Sequence, residues 1–264
     1  MSYLRLFWRL LRLSLALLIG ICFCTTLSLL ERISTRDWMP LKQRMTCWFM
    51  RSLRAALPFK VSVSGALPQQ PMLWVSNHIS WTDIPMLGAL MPMSFLSKDE
   101  VRHWPVAGWL ASTAGTLFIR RGSGDSGQIS DQLSQHLRQA RNLLIFPEGT
   151  TTDGLAVRTF HGRLLSGAID AGVAIQPVAI RYLRGGKPCA LAPYIGDDSL
   201  GSHLVRLFKA PAAEVQITLL SPIASDSGNR NALARRCQHT IAEAMQLPSP
   251  AAYVRANEQM ALND

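Results

Sequence analysis

His78 and Asp83, five positions apart in the stretch SNHISWTDIP (Ser76–Pro85), are residue types that can move a proton. An imidazole titrating near neutrality can take a proton from an attacking hydroxyl. A carboxylate on its other ring nitrogen fixes the tautomer and stabilises the imidazolium that forms. On one continuous helix an interval of five turns two side chains about 140° apart. The pair therefore meets only if His78 sits in a turn ahead of a helix and Asp83 in its first turn. Taken alone, the spacing also suits an aspartate that caps a helix behind an ordinary loop histidine.

Two other stretches carry polar groups to strand ends. In LLIFPEGTTTDG (Leu143–Gly154), Pro147 and Gly149 force a turn that presents Glu148 and the backbone N–H groups around Gly149, Thr150 and Thr151, either to hold a substrate or to steady a catalytic loop. In GTLFIRR, Arg120 and Arg121 end an apolar run, where guanidinium groups can grip a phosphate through paired charge-assisted bonds. Adjacent strand residues face opposite sides, so either arginine can be the inward one.

Other chemistries fit less well. The chain has no G-x-S-x-G elbow, no HExxH and no GxxxxGK[ST], and its remaining histidines share no metal-ligand spacing, so neither a metal nor a cofactor is expected. GSGDSG (Gly122–Gly127) matches the G-x-G-x-x-G of dinucleotide sites. Arg120 and Arg121, however, stand where apolar residues should run into the first glycine, and Asp125 sets a negative charge where a pyrophosphate would lie.

Positioning these groups requires strands with loops at one edge. VSVSG, MLWVSN, SFLSKD, TLFIRR, NLLIFPE, VAIQPVAIRYL and EVQITLL read as strands, and helical patterns fall near 83–91, 104–113, 128–141, 160–171 and 230–246. The alternation implies an α/β fold with a mixed, mostly parallel sheet covered by helices on both faces. Ligands in such sheets collect at the carboxyl ends of strands, where all the candidate residues lie. Residues 122–127 read as a loop. The boundaries expected are a membrane-associated helical segment over 1–59, a catalytic domain over 60–246 and a loosely held tail over 247–264.

The net charge of +10 is concentrated at the N-terminus, where residues 1–60 carry +8. Charge gathered around an apolar segment points to anionic lipid rather than nucleic acid. The eighteen uncharged residues from Leu13 to Leu30 make a helix of roughly 27 Å, just short of a hydrocarbon core. An uncleaved anchor, a signal peptide and a helix lying in the interface all remain open, and arginines on both flanks leave the orientation undecided. Trp38, Leu41, Met45, Trp48, Phe49, Leu53, Ala56 and Leu57 recur at helical spacing with Lys42, Arg44, Arg51 and Arg54 mostly on other faces, a stripe fit for the head-group boundary or for docking on the domain. Five cysteines without a CxxC argue against a disulfide framework.

Taken in order behind the N-terminal segment, NHISWTD, FLSKDE, GTLFIRR, FPEGTTTDG and VAIQPVAIRY resemble the glycerolipid acyltransferase family over about Trp74 to Tyr182. The resemblance implies transfer of a fatty acyl group from acyl carrier protein or coenzyme A to a lysolipid hydroxyl, with His78 as general base and Asp83 as its orienting partner. It places the acceptor's phosphate against Arg121, with Arg120 beside it, and gives substrate binding to Glu148, Gly149, Thr150 and Thr151; Asn77 and Lys98 fall in matched blocks and join that set. The family's best-known bacterial members act on 1-acylglycerol-3-phosphate, which makes phosphatidate the first product to expect. Thr151 stands where many of those members have an arginine, and FPEGTTTDG resembles instead the branch that acylates lyso-ornithine lipid. A bacterial inner-membrane location follows, with the catalytic domain facing the cytoplasm. A membrane-tethered lipid-binding module without catalysis is the alternative of another class.

Overall fold

The computed structural model describes residues 2–119, 126–226 and 229–246. Arg120, Arg121, most of the glycine-rich patch after them and the tail 247–264 lie outside the described residues. The chain runs α1 (Ser2–Ile33), α2 (Met39–Ala56), β1 (Phe59–Ser64), β2 (Leu73–Ser76), α3 (Asp83–Gly88), β3 (Ser94–Lys98), α4 (Asp99–Arg102), α5 (Ala107–Thr113), β4 (Leu117–Ile119), α6 (Ser126–Arg138), β5 (Leu143–Ile145), a 3₁₀ turn (Gly162–Leu164), α7 (Ser166–Ala171), β6 (Ile175–Arg184), β7 (Lys187–Pro188), α8 (Leu200–Lys209), β8 (Ala213–Leu219) and α9 (Arg230–Ala244).

The sheet order is β1-β8-β6-β2-β5-β3-β4, with β7 hairpinned onto β6. Strands β6, β2, β5, β3 and β4 are mutually parallel, and β8 joins β6 antiparallel with β1 parallel to β8. Strand β2 lies near the centre: Leu73, Trp74 and Val75 are each 0% exposed although they alternate between faces. Ile175 to Ile180 of β6 are likewise buried without a break. Burial on both faces requires cover on both, which explains why these segments read as continuous apolar runs rather than alternating ones.

All seven strands expected from the sequence form. Helix α8 was not expected; its ten residues LGSHLVRLFK carry basic residues inside a short apolar pattern, and its start is marked only by Ser199, whose hydroxyl accepts from the Ser202 N–H.

Helix α1 is continuous for 32 residues and is apolar and long enough to cross a membrane by length and composition. It is also held to the domain. Arg9 Nη1 donates to the carbonyls of Phe208 and Ala210, both at 2.7 Å, closing the C-terminal end of α8. Against α2 the two helices approach closely at Gly20, where a methyl group would meet the Phe49 ring at 2.6 Å.

Over its first three turns α2 buries a face that is not its apolar stripe; only the end of the stripe, Ala56 and Leu57, goes in. Lys42, Gln43, Thr46 and Cys47 are buried, whereas Leu41 and Trp48 are exposed. Hydrogen bonding decides this orientation: Gln43 Nε2 donates to Ser94 Oγ (3.0 Å) and to the Asn142 carbonyl (3.3 Å) at the amino ends of β3 and β5, and Lys42 pairs with Glu31 of α1 at 2.6 Å. Trp48 meets Phe23 of α1 edge-on at 5.1 Å.

Candidate active site

The chain leaves β2 at Ser76 and enters α3 at Asp83, so the segment 77–82 is the turn that the five-residue spacing demanded. His78 Nδ1 lies 2.8 Å from Asp83 Oδ2. The same oxygen accepts from the backbone N–H groups of Ile79 (2.7 Å) and Ser80 (2.9 Å), so the loop wraps around the carboxylate it needs. Asp83 is 0% exposed, while the His78 side chain retains 17%.

The other oxygen of Asp83 is held from a distant element. Tyr182 of β6 donates its hydroxyl to Oδ1 at 2.6 Å and lies 2.8 Å from Thr82 Oγ1, which serves as its donor in turn. Burial lifts the Tyr182 hydroxyl well above its usual pKa, and the charge of Asp83 adds to the lift, so the group keeps its proton and donates. Four donors thus surround one buried carboxylate. Its oxygens act only as acceptors, which assigns the hydrogen to His78 Nδ1 and leaves the Nε2 lone pair available.

Register accounts for the reach of Tyr182. Ser76 pairs with Val178 of β6, and β6 continues past the end of β2 to Arg184. Asn77 extends the ladder with its side chain: Nδ2 donates to the Ile180 carbonyl (3.0 Å) and Oδ1 accepts the Ile180 N–H (2.9 Å). Tyr182, two residues on, projects from the same face as Ile180. Sequence inspection missed it, because nothing in a buried tyrosine of an apolar strand marks its hydroxyl as engaged.

The second loop comes from β5, whose residues pair in parallel with those of β2. A turn closes from the Gly149 N–H to the Phe146 carbonyl at 3.0 Å, with Gly149 at φ +69°, a left-handed conformation that suits glycine. Glu148 is 4% exposed, and both its oxygens are occupied: Oε1 accepts the His78 N–H (2.8 Å) and Oε2 the Arg158 N–H (2.9 Å). Burial pushes the Glu148 carboxyl up to about 7, against the restraining effect of those two N–H bonds. Thr152 returns to His78 from its N–H (2.9 Å) and its hydroxyl (3.2 Å), both onto the His78 carbonyl. The Phe146 ring stacks on the imidazole at a centroid distance of 3.9 Å. His78 is therefore fixed at its backbone N–H, its carbonyl, its ring face and Nδ1.

A third set of contacts buttresses the loop from behind. Trp81 Nε1 donates to Nδ1 of His203 in α8 at 3.0 Å, and burial, followed by the nearby Arg206, lowers the His203 pKa and keeps it a neutral acceptor. The Tyr194 N–H donates to the Ile79 carbonyl at 3.0 Å, and the Thr151 hydroxyl donates to the Tyr194 carbonyl. Lys98 ends β3 on the same sheet edge, and Thr150 is half-buried in the turn. The structure thus brings Asn77, His78, Asp83, Glu148, Gly149, Thr150 and Thr151 together.

A fixed imidazole with one open nitrogen, backed by a buried carboxylate at a sheet edge, suits one class of chemistry: taking a proton from an acceptor's hydroxyl. Comparison with known proteins gives the class its family. Residues 59–181 match the Acyltransferase family. The chain is 57% identical over 241 residues to the lyso-ornithine lipid O-acyltransferase of Pseudomonas aeruginosa, covering 91% of this chain and 93% of the relative. It is 32% identical over 195 residues to the 1-acyl-sn-glycerol-3-phosphate acyltransferase of Neisseria meningitidis serogroup B, covering 72% and 76%. The crystal structure of the 1-acyl-sn-glycerophosphate (LPA) acyltransferase from Thermotoga maritima superposes with a TM-score of 0.68 at 20% identity, covering 93% of this chain and 97% of that one, and so shares the fold. The chain belongs to the acyltransferase family. It is a membrane-associated O-acyltransferase acting on a lysolipid.

Proposed function

We propose that this enzyme moves a fatty acyl group from a thioester on acyl carrier protein or coenzyme A to the free hydroxyl of lyso-ornithine lipid, at the cytoplasmic face of the bacterial inner membrane. The His78–Asp83 contact of 2.8 Å carries the chemical part. His78 Nε2 removes the hydroxyl proton as the oxygen attacks the thioester carbonyl, and Asp83 stabilises the imidazolium. Collapse of the tetrahedral intermediate re-forms the carbonyl and breaks its C–S bond, and the imidazolium passes its proton to the departing thiolate, which leaves as free thiol. A thioester is already activated, so neither a covalent enzyme nucleophile nor a metal is needed. Among the described residues, the backbone N–H groups of Thr150 and Thr151 meet no acceptor, whereas that of Thr152 is bonded to His78; the two serve as donors to the tetrahedral oxyanion. Asn77 and Glu148 act by holding the loops, and Lys98 with Arg120 and Arg121 supplies cationic contacts to the acceptor or to the donor's phosphates. The catalytic unit spans 60–246, with 1–59 as the membrane segment.

The acceptor assignment rests on the relative at 57% identity and on Thr151, whose hydroxyl is turned to the Tyr194 carbonyl. A neutral residue there suits an acceptor without a phosphate monoester. The second reading, lysophosphatidate as acceptor, is favoured by the Neisseria relative and by the paired arginines after β4. One experiment separates the possibilities: membranes containing the enzyme or its His78→Ala variant are supplied with labelled acyl carrier protein and either lysolipid. Label should enter ornithine lipid only with intact His78. Incorporation into phosphatidate alone would overturn the acceptor assignment, and unchanged turnover in the variant would overturn the base.

A further inference from the structure

The corner between α4 and α5 has a conformation that internal packing does not explain. The Ala107 N–H bonds to the Pro105 carbonyl at 2.6 Å, closing a three-residue turn with Val106 at φ +61° and ψ −58°. This is the rarer, strained form of the γ-turn, and a β-branched residue is the least suited to it. Its effect is to push Val106 outward, where it is 51% exposed between Trp104 (46%) and Trp109 (40%). The corner is also firmly built. A methyl group on Gly108 would meet the Arg102 carbonyl oxygen at 2.1 Å, so the two short helices abut. Strain that exposes three large apolar side chains on a rigid support is unfavourable in water.

Placement in the fold identifies what covers them. Strand β3 is parallel to β5 and β2, so α4 leaves the sheet at the same carboxyl edge as His78, two strands and therefore about 10 Å away. Helix α5 packs against α1, whose Leu11, Leu15 and Leu18 are also exposed, and Arg9 ties α1 to the same rigid body. Arg102, half exposed at the corner, lies 3.7 Å from Asp99 and over the Phe118 ring, and Arg12 is exposed on α1. Two exposed tryptophans with a protruding aliphatic residue between them and an arginine at the same corner match the boundary between acyl chains and head groups.

We propose that the Trp104–Val106–Trp109 corner is a membrane-inserting wedge. It enters the head-group boundary of a leaflet containing anionic phospholipid and, together with α1, seats the catalytic edge of the sheet against the lipid from which the acceptor comes. Its purpose rests on the lysolipid-acyltransferase reading, but its depth in the bilayer is measurable without any turnover.

The test uses the full-length protein in vesicles of phosphatidylethanolamine and phosphatidylglycerol. A nitroxide is placed by Val106→Cys in a Cys22→Ser background, since Cys22 is the exposed one of the five free cysteines. The expected result is a label more accessible to oxygen than to a nickel chelate. A label as accessible to the chelate as one in buffer overturns the proposal, as does dipolar broadening from a second copy of the chain. Independently, the Trp104→Ser/Trp109→Ser variant should turn over lysolipid embedded in vesicles about tenfold more slowly or worse, given what burial of two aromatic side chains contributes. Its rate on a short-chain acceptor in micelles should be unchanged. Equal loss in both formats overturns the wedge without touching the assignment of the reaction.

Discussion

Replacing Tyr182 with phenylalanine removes one oxygen atom and separates the support of Asp83 from everything else at the site. The hydroxyl donates to Asp83 Oδ1 at 2.6 Å in a fully buried setting, and the ring meets Phe59 edge-on at 5.0 Å. Phenylalanine keeps the ring contact and leaves Oδ1 without that donor. A hydrogen bond to a charged partner contributes about 1.5–3 kcal/mol, and 1.36 kcal/mol is a factor of ten. The full range is therefore about tenfold to 150-fold, divided between folding and turnover. Because Oδ2 keeps its bonds from Ile79 and Ser80, the carboxylate stays oriented. The loss in kcat should fall near the lower end, about tenfold, with KM for the lysolipid unchanged. A second readout distinguishes support of Asp83 from general loosening. A carboxylate with one donor fewer attracts the imidazolium more strongly, so the acid limb of the kcat profile should move to higher pH in Tyr182→Phe. Release of thiol from the acyl donor, followed across pH 5–9, measures both quantities. Turnover within twofold of the parent, with an unmoved acid limb, would refute the role given to this hydroxyl.

Two further substitutions test the loops. Glu148 has a folded-state pKa of about 7 against an ordinary 4.5. Below pH 4.5 the carboxyl is protonated whether folded or unfolded; between 4.5 and 7 only the folded chain keeps the proton, so this group's contribution to stability falls as pH rises and costs about 3 kcal/mol above 7. Glu148→Gln lacks that titration, and unfolding measured at pH 5 and pH 8 should show the variant gaining on the parent by about that amount; a parent that gains with pH would contradict the buried-carboxyl account. The same variant turns an amide NH₂ towards the N–H of either His78 or Arg158 and should lose activity at both pH values. In Asn77→Asp an acceptor replaces the Nδ2 donor 3.0 Å from the Ile180 carbonyl. It should destabilise the fold by about 2 kcal/mol or more, lowering Tm by roughly 5 °C or more. An unchanged Tm would show that the ladder extension contributes nothing.

The sheet was legible in the sequence because its central strands are buried on both faces and stand out as short apolar runs between turn residues. The His–Asp pair was legible for a similarly local reason: an interval of five across a loop-to-helix junction needs no information beyond the segment itself. What stayed hidden depended on contacts between segments far apart in the chain. Helix α8 and its His203 support the loop that carries His78 through Trp81, 122 positions away. The polar face of α2 is buried because Ser94 and the Asn142 carbonyl wait for Gln43, a match that the helix's own periodicity contradicts.

By itself, then, the sequence determined the alternation of elements, the edge on which polar groups collect and the loop-to-helix junction across which His78 and Asp83 can meet, since each follows from residue type and near-neighbour spacing. Only the tertiary structure decided how that pair is held. Tyr182 is 99 positions from Asp83, and Glu148 reaches back 70 positions to the His78 N–H. Both contacts exist because β6 and β5 flank β2 in register, and strand order in a sheet is set by packing across the whole domain rather than by any one stretch of chain.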